Sequence, residues 1–142
     1  MNTTPHKPRI LFICGRNQWR SRKAQEIYAN DQRMEVRSAG VSPISAHKVS
    51  QQDLEWADLV LVMEPKHEKR IVDQFKSMRL PRFECLDIPD ASETMDDETL
   101  TELIRDGTEG HFAATFDHAL TNSSPRQQYY LNPPLTPPKE RK

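Results

Sequence analysis

The 142-residue chain has only two cysteines, Cys14 and Cys85. Neither belongs to a C-x-x-C pair, so no disulfide framework is expected and both thiols read as free. No His/Cys group has zinc-ligand spacing, so no metal is expected, and nothing in the chain calls for a cofactor. No stretch approaches the ~18 consecutive apolar residues of a membrane-spanning helix. An excess of one charge is missing too. The 20 Lys and Arg nearly balance the 21 Asp and Glu, giving a formal net charge of −1. That balance speaks against a general nucleic-acid binder. Positions 1–8 are polar, without the apolar core of a signal peptide. The expectation is a cytoplasmic protein with neither membrane nor nucleic acid as partner. Internal repeats are absent, and the oligomeric state is left open.

What the chain does contain is polar for its size, with 35% hydrophobic and 29% charged residues and a mean hydropathy of −0.81. The length suits one domain, and the polarity implies that part of the chain lies outside its core. The run Arg9-Ile10-Leu11-Phe12-Ile13 is continuously apolar after its first residue, the pattern of a strand buried on both faces. Gly15 marks a turn. Ala24, Ile27 and Tyr28 then fall at helical spacing, with Asn30-Asp31 as a stop. A second strand is expected over 34–38, ended by Ala39-Gly40. Ser50 and Asp53 have capping-box spacing ahead of a short helix over 51–57. Leu59-Val60-Leu61-Val62-Met63 reads as a third strand, and Pro65 suits the first turn of a helix that buries Ile71, Val72 and Phe75. A fourth strand is expected over 83–86. The last helix is expected over 96–105, with Leu100, Leu103 and Ile104 inside and Gly107 as its stop.

Strands alternating with helices imply an α/β fold of three layers, an approximately four-stranded parallel sheet with helices on both faces. Ligands of such sheets bind beyond the carboxyl ends of the strands. The loop after Cys14 and the loop Asp87-Ile88-Pro89-Asp90 both belong to that edge. The expected domain covers 1–106. Beyond it, 107–142 reads as a flexible tail, proline-dense at Pro133-Pro134-Leu135-Thr136-Pro137-Pro138. A polyproline II ligand for a partner is the sharper reading of those prolines. Phe112, Phe116, Tyr129 and Tyr130 are candidates for pinning part of the tail to the domain.

The segment Cys14-Gly15-Arg16-Asn17-Gln18-Trp19-Arg20-Ser21 joins the first strand to the first helix. Backbone N–H groups and the helix dipole at such a position hold a phosphate-like anion and favour a thiolate over a thiol. Arg20, curled back over the anion, can grip two of its oxygens with one guanidinium. Ser21 can donate a hydrogen bond to the sulfur. Asn17 tolerates a left-handed backbone and can tie the loop to itself.

The loop and its surroundings resemble those of the low-molecular-weight protein tyrosine phosphatase family, whose C-x-x-N-x-x-R-S loop is matched by Cys14, Asn17, Arg20 and Ser21. Ser38-Ala39-Gly40-Val41-Ser42, Ala46-His47-Lys48, the stretch from Ala57-Asp58-Leu59 to Met63-Glu64, and Ile88-Pro89-Asp90 resemble further segments of the family in the same order. The likeness covers roughly residues 8–105. It implies a phosphomonoester hydrolase in which Cys14 is the nucleophile and forms a phosphocysteine, and Arg20 binds the phosphoryl oxygens. Asp90 is then the general acid, with Asp87 as rival because it ends the strand. Gly15, Arg16, Asn17, Gln18, Trp19 and Ser21 complete the phosphate-binding loop, and Ser38, Ser42 and His47 support it from behind. The implied partner is a phosphorylated substrate, a phosphotyrosine protein or a small aryl phosphate.

The chain departs from the family pattern at Gly15-Arg16, at Arg22 where proline is usual, and at Ala91 where proline and an aromatic residue usually follow the acid. Trp19 is a candidate replacement for that aromatic contact. Two other readings stand beside the hydrolase. An arsenate reductase-like thiol oxidoreductase would need three thiols and finds two, although a protective Cys14–Cys85 disulfide fits the same pair. A non-enzymatic anion- or partner-binding module of the same fold is the other.

Overall fold

A computed structural model describes residues 7–91 and 94–117. Nine elements follow one another: β1 (Arg9–Cys14), α1 (Arg20–Tyr28), β2 (Glu35–Gly40), α2 (Gln51–Trp56), β3 (Leu59–Val62), α3 (Pro65–Gln74), β4 (Arg82–Cys85), α4 (Asp97–Phe112) and a π-helical turn, Ala113–Asp117. The four strands are all parallel and lie in the order β2-β1-β3-β4. The expected three-layer α/β architecture is therefore the observed one.

The two central strands explain the apolar runs. Ile10 to Ile13 and Leu59 to Val62 are fully buried, because helices cover both faces of the sheet. Leu11 and Ile13 point to one face, where they pack with Leu54 and Ala57 of the α2 segment and Ile71 of α3. Alternation sends Phe12 to the other face, where its ring stacks on Tyr28 of α1 with centroids 6.2 Å apart. Lys23 of α1 pairs with Asp97 at the start of α4 at 2.8 Å.

Local signals place the helix starts. The Ser50 hydroxyl accepts from the Asp53 N–H at 3.2 Å, and the Asp53 carboxylate accepts from the Ser50 N–H at 3.1 Å, a complete capping box. Pro65 occupies the first turn of α3, where its missing N–H leaves no bond unmade.

Three expectations need correction. Val72 is exposed, because the buried stripe of α3 runs through His67 and Ile71 to the half-buried Phe75, and Val72 points about 100° away from it. Leu103 is exposed for the same reason, since the buried stripe beside it runs through Leu100 and Ile104. Gly107 does not end α4, which continues to Phe112. No described glycine adopts a positive φ, so Gly107 never takes the left-handed conformation that stops a helix. Inside a helix it costs only about 1 kcal/mol relative to Ala.

The compact unit that holds the sheet ends at Arg105, and a second unit begins at Asp106. In the second unit the rings of Phe112 and Phe116 lie 5.1 Å apart. Tyr129, Tyr130 and the prolines at 133–138 lie outside the described residues, as do positions 1–6. Among the described residues no helix is long and apolar enough to cross a membrane.

Candidate active site

The carboxyl ends of the strands converge on one loop. Val41 N–H donates to the Cys14 carbonyl at 3.1 Å and Ser42 N–H to the Gly15 carbonyl at 2.9 Å, so the chain leaving β2 continues alongside the loop leaving β1. Ala46 N–H donates to the Arg16 carbonyl at 3.1 Å. Gly40 is required at this junction. A Cβ there would stand 2.8 Å from both the Arg16 carbonyl carbon and the Asn17 nitrogen, leaving no room for a side chain.

Asn17 sits at φ 55°, the left-handed conformation that its short amide tolerates. This turns its N–H onto the Cys14 sulfur at 3.2 Å. Its buried side-chain amide donates both protons, one to Ser21 Oγ and one to Ser38 Oγ, each at 2.9 Å. Ser38 in turn donates to Gln25 Oε1. With its oxygen already accepting from Asn17, Ser21 has its own proton for Cys14 Sγ, 2.9 Å away. The chain of donors therefore runs toward the sulfur, which receives one hydroxyl and one backbone N–H. That arrangement fits a thiolate acceptor.

Arg20 is buried at the start of α1. Its Nη1 donates to Glu64 Oε1 at 2.8 Å and to the Ile88 carbonyl at 2.7 Å. Burial pushes the Glu64 carboxyl up, but the hydrogen bond and charge of Arg20 outweigh it and hold the group below the usual carboxylate range. Ile88 is itself fixed by its N–H, which donates to the Met63 carbonyl at 2.8 Å. One guanidinium thus ties the loop to the ends of β3 and β4.

A cavity of about 530 Å³ opens above Cys14. Gly15, Arg16, Gln18, Trp19, Arg20, Ser42 and Asp90 line it, together with Lys66, His67 and Arg70 from α3. Asp87 does not. It turns away at φ 57°, and its carboxylate accepts from the Cys85 thiol at 3.5 Å. Ser38 lies behind the loop, between the Asn17 amide and Gln25. His47 does not join that network: its side chain is 55% exposed and its Nε2 meets Asp53 Oδ2 at 2.8 Å. What His47 gives the loop's neighbourhood is its carbonyl, which accepts from the Gly40 N–H at 2.8 Å.

Sequence reading missed Gln25, Glu64, Lys66, His67 and Arg70. Gln25 was within reach, being four residues after Ser21 on one face of α1. His67 is buried in the first turn of α3. Its Nδ1 accepts from the Glu64 N–H at 3.1 Å, so a neutral ring carries its proton on Nε2. Burial, reinforced by the Arg20 charge, pushes its pKa down to about 4. Among the described residues no group of three or more His, Cys, Asp or Glu could hold a metal ion.

No family model and no curated protein sequence matches the chain. Solved structures do. YfkJ from Bacillus subtilis superimposes with a TM-score of 0.63 at 20% identity, over 79% of this chain and 96% of that one. SP-PTP, a low molecular weight protein tyrosine phosphatase from Streptococcus pyogenes, gives 0.61 at 18% identity, over 75% and 91%. The YwlE arginine phosphatase from Geobacillus stearothermophilus gives 0.52 at 23% identity, over 70% and 85%. Sheet order and superpositions together establish that the chain has the fold of the low-molecular-weight protein tyrosine phosphatases.

Proposed function

We propose that the protein is a phosphomonoester hydrolase working through a phosphocysteine on Cys14. The observation that carries this reading is the Cys14 sulfur, which accepts hydrogen bonds from Ser21 and from Asn17 N–H at the floor of a cavity that Arg20 and Asp90 also line. The phosphoryl group would rest on the loop amides with Arg20 against its oxygens. The thiolate attacks phosphorus and forms the S–P bond as the P–O bond to the leaving group breaks. Asp90 gives its proton to the departing oxygen. A water then attacks the phosphocysteine, passes a proton to the Asp90 carboxylate, and the S–P bond breaks to release phosphate and restore the thiolate.

Asp90 is assigned the acid because it lines the cavity, whereas the Asp87 carboxylate is held on Cys85. Proteins of this fold include named tyrosine and arginine phosphatases. An aryl phosphate is the reading we adopt, with Trp19 and Val41 as apolar lining. A nucleophilic thiol persists in reducing surroundings, which supports a cytoplasmic location.

The test is hydrolysis of 4-nitrophenyl phosphate with rapid acid quench. A phosphoryl adduct on the Cys14 peptide by mass spectrometry is expected, and Cys14→Ser abolishes turnover while vanadate inhibits the wild type. Undiminished hydrolysis by Cys14→Ser would overturn the proposal.

A further inference from the structure

We propose that the α3 wall of the cavity is a second anion subsite, so that the preferred substrate is a phosphomonoester whose leaving group carries a second anionic group. This rests on the hydrolase reading above and names its substrate class.

The cavity holds more positive charge than one phosphoryl group uses. Arg20 and the loop amides serve that group. Lys66 and Arg70, four residues apart and therefore on one face of α3, line the same cavity, and Arg16 lines it from the loop. Among the described residues Arg16 and Arg70 form no ion pair. Lys66 comes within 3.7 Å of Glu64 Oε1, but that oxygen already takes the 2.8 Å bond from Arg20. Asp90 is the only acid lining the cavity among the described residues, and its task is proton transfer. Cations gathered around a concave site concentrate a positive potential inside it.

His67 adds a neutral donor to this wall. Its side chain is only 2% exposed, with Nε2 3.7 Å from Glu64 Oε1 and 3.9 Å from the point where a Gly15 side chain would begin. It therefore faces the loop. Depression of its pKa to about 4 keeps it an N–H donor rather than a further cation. Two exposed cations and one buried donor make a wall suited to a carboxylate or a phosphate. The same wall would repel a cationic leaving group such as a guanidinium.

The experiment compares three substrates with the full chain: meta-phosphonooxyphenylacetate, its primary amide, and meta-phenylene bisphosphate. The methylene spacer keeps leaving-group acidity alike in the first two. The acid is expected to exceed the amide in kcat/KM by roughly 5–10-fold at low salt, with the ratio shrinking at high salt. Arg70→Gln should bring the ratio toward one, and Arg70→Lys should restore most of it. Comparison of the acid with the bisphosphate shows whether a carboxylate or a phosphate is the better second group. Equal rates for acid and amide, or a preference that survives Arg70→Gln, overturn the subsite while leaving the hydrolase reading intact. Turnover of none of the three overturns both.

Discussion

Glu64 and Ile88 share one nitrogen of Arg20: Nη1 donates to the Glu64 carboxylate at 2.8 Å and to the Ile88 carbonyl at 2.7 Å. The residue proposed to grip the phosphoryl group is thereby anchored to the segment that leads, two residues later, to the proposed acid. Positioning of both parts passes through one guanidinium.

Removing the anchor should loosen both parts together. Glu64→Ala is expected to lower kcat/KM for an aryl phosphate by about 10–100-fold, the size of effect that a misplacement near 1 Å produces. Glu64→Gln keeps a carbonyl acceptor for Nη1 and should retain most activity. Steady-state kinetics of the two variants and the wild type check this. Equal activity of Glu64→Ala and wild type would show that Arg20 holds its place without the carboxylate.

The two carboxylates of the loop after β4 should separate cleanly. Asp90→Asn is expected to cost on the order of 10²–10⁴-fold with a poor leaving group such as phenol, and much less with 4-nitrophenol, which departs without a proton. Asp87→Asn should leave turnover near wild type. Asparagine suits the left-handed backbone of position 87, at φ 57°, so that variant removes the charge without straining the turn. A larger loss at 87 than at 90, across a series of leaving groups, would reverse the assignment.

The parallel register decides the fate of the second thiol. Ile13 lies opposite Val62, and Val62 opposite Cys85. Two strand spacings of about 4.8 Å put the β1 and β4 backbones about 10 Å apart, well beyond the ~7 Å limit for a disulfide. Burial also pushes the Cys85 thiol up to about 11. It therefore stays protonated at neutral pH and is a poor attacking group. Mild peroxide should oxidise Cys14 without linking it to Cys85. Mass spectrometry of the non-reduced digest would reveal a Cys14–Cys85 peptide pair if the strands part enough to permit one.

Much of this architecture was legible because the signals were local. Two apolar runs, two shorter mixed strand segments, a capping box at Ser50-Asp53 and Pro65 gave the alternation of strands and helices, and alternation gave the parallel sheet. The loop from Cys14 to Ser21 was legible as chemistry because its residue types matter at fixed short spacing. The opposite wall of the cavity was not. Glu64, Lys66, His67 and Arg70 belong to a helix start whose polar residues look like any solvated face, and only the β1-β3 pairing brings them to Cys14. His47 shows the converse. Its neighbours in sequence suggested a supporting role, but its ring is engaged by Asp53, which the capping box already places.

His67 should leave its mark on stability as well as on binding. The folded protein keeps this ring neutral down to about pH 4, chiefly because it is buried and secondly because Arg20 is near. The unfolded chain takes up the proton near 6.5. Between those values the unfolded state binds more protons, so stability falls as the pH falls, beginning below about 6.5 and complete near 4. The expected loss between pH 7 and pH 5 is roughly 2 kcal/mol. Glu64 acts in a lower window: its depressed pKa contributes stability above its ordinary value of 4.5, lost only as the pH drops through the folded value. Urea unfolding midpoints measured from pH 7 to pH 5 therefore separate the histidine from Glu64. His67→Gln should flatten the dependence over that range, and a slope unchanged by the substitution would mean that another group takes up the proton.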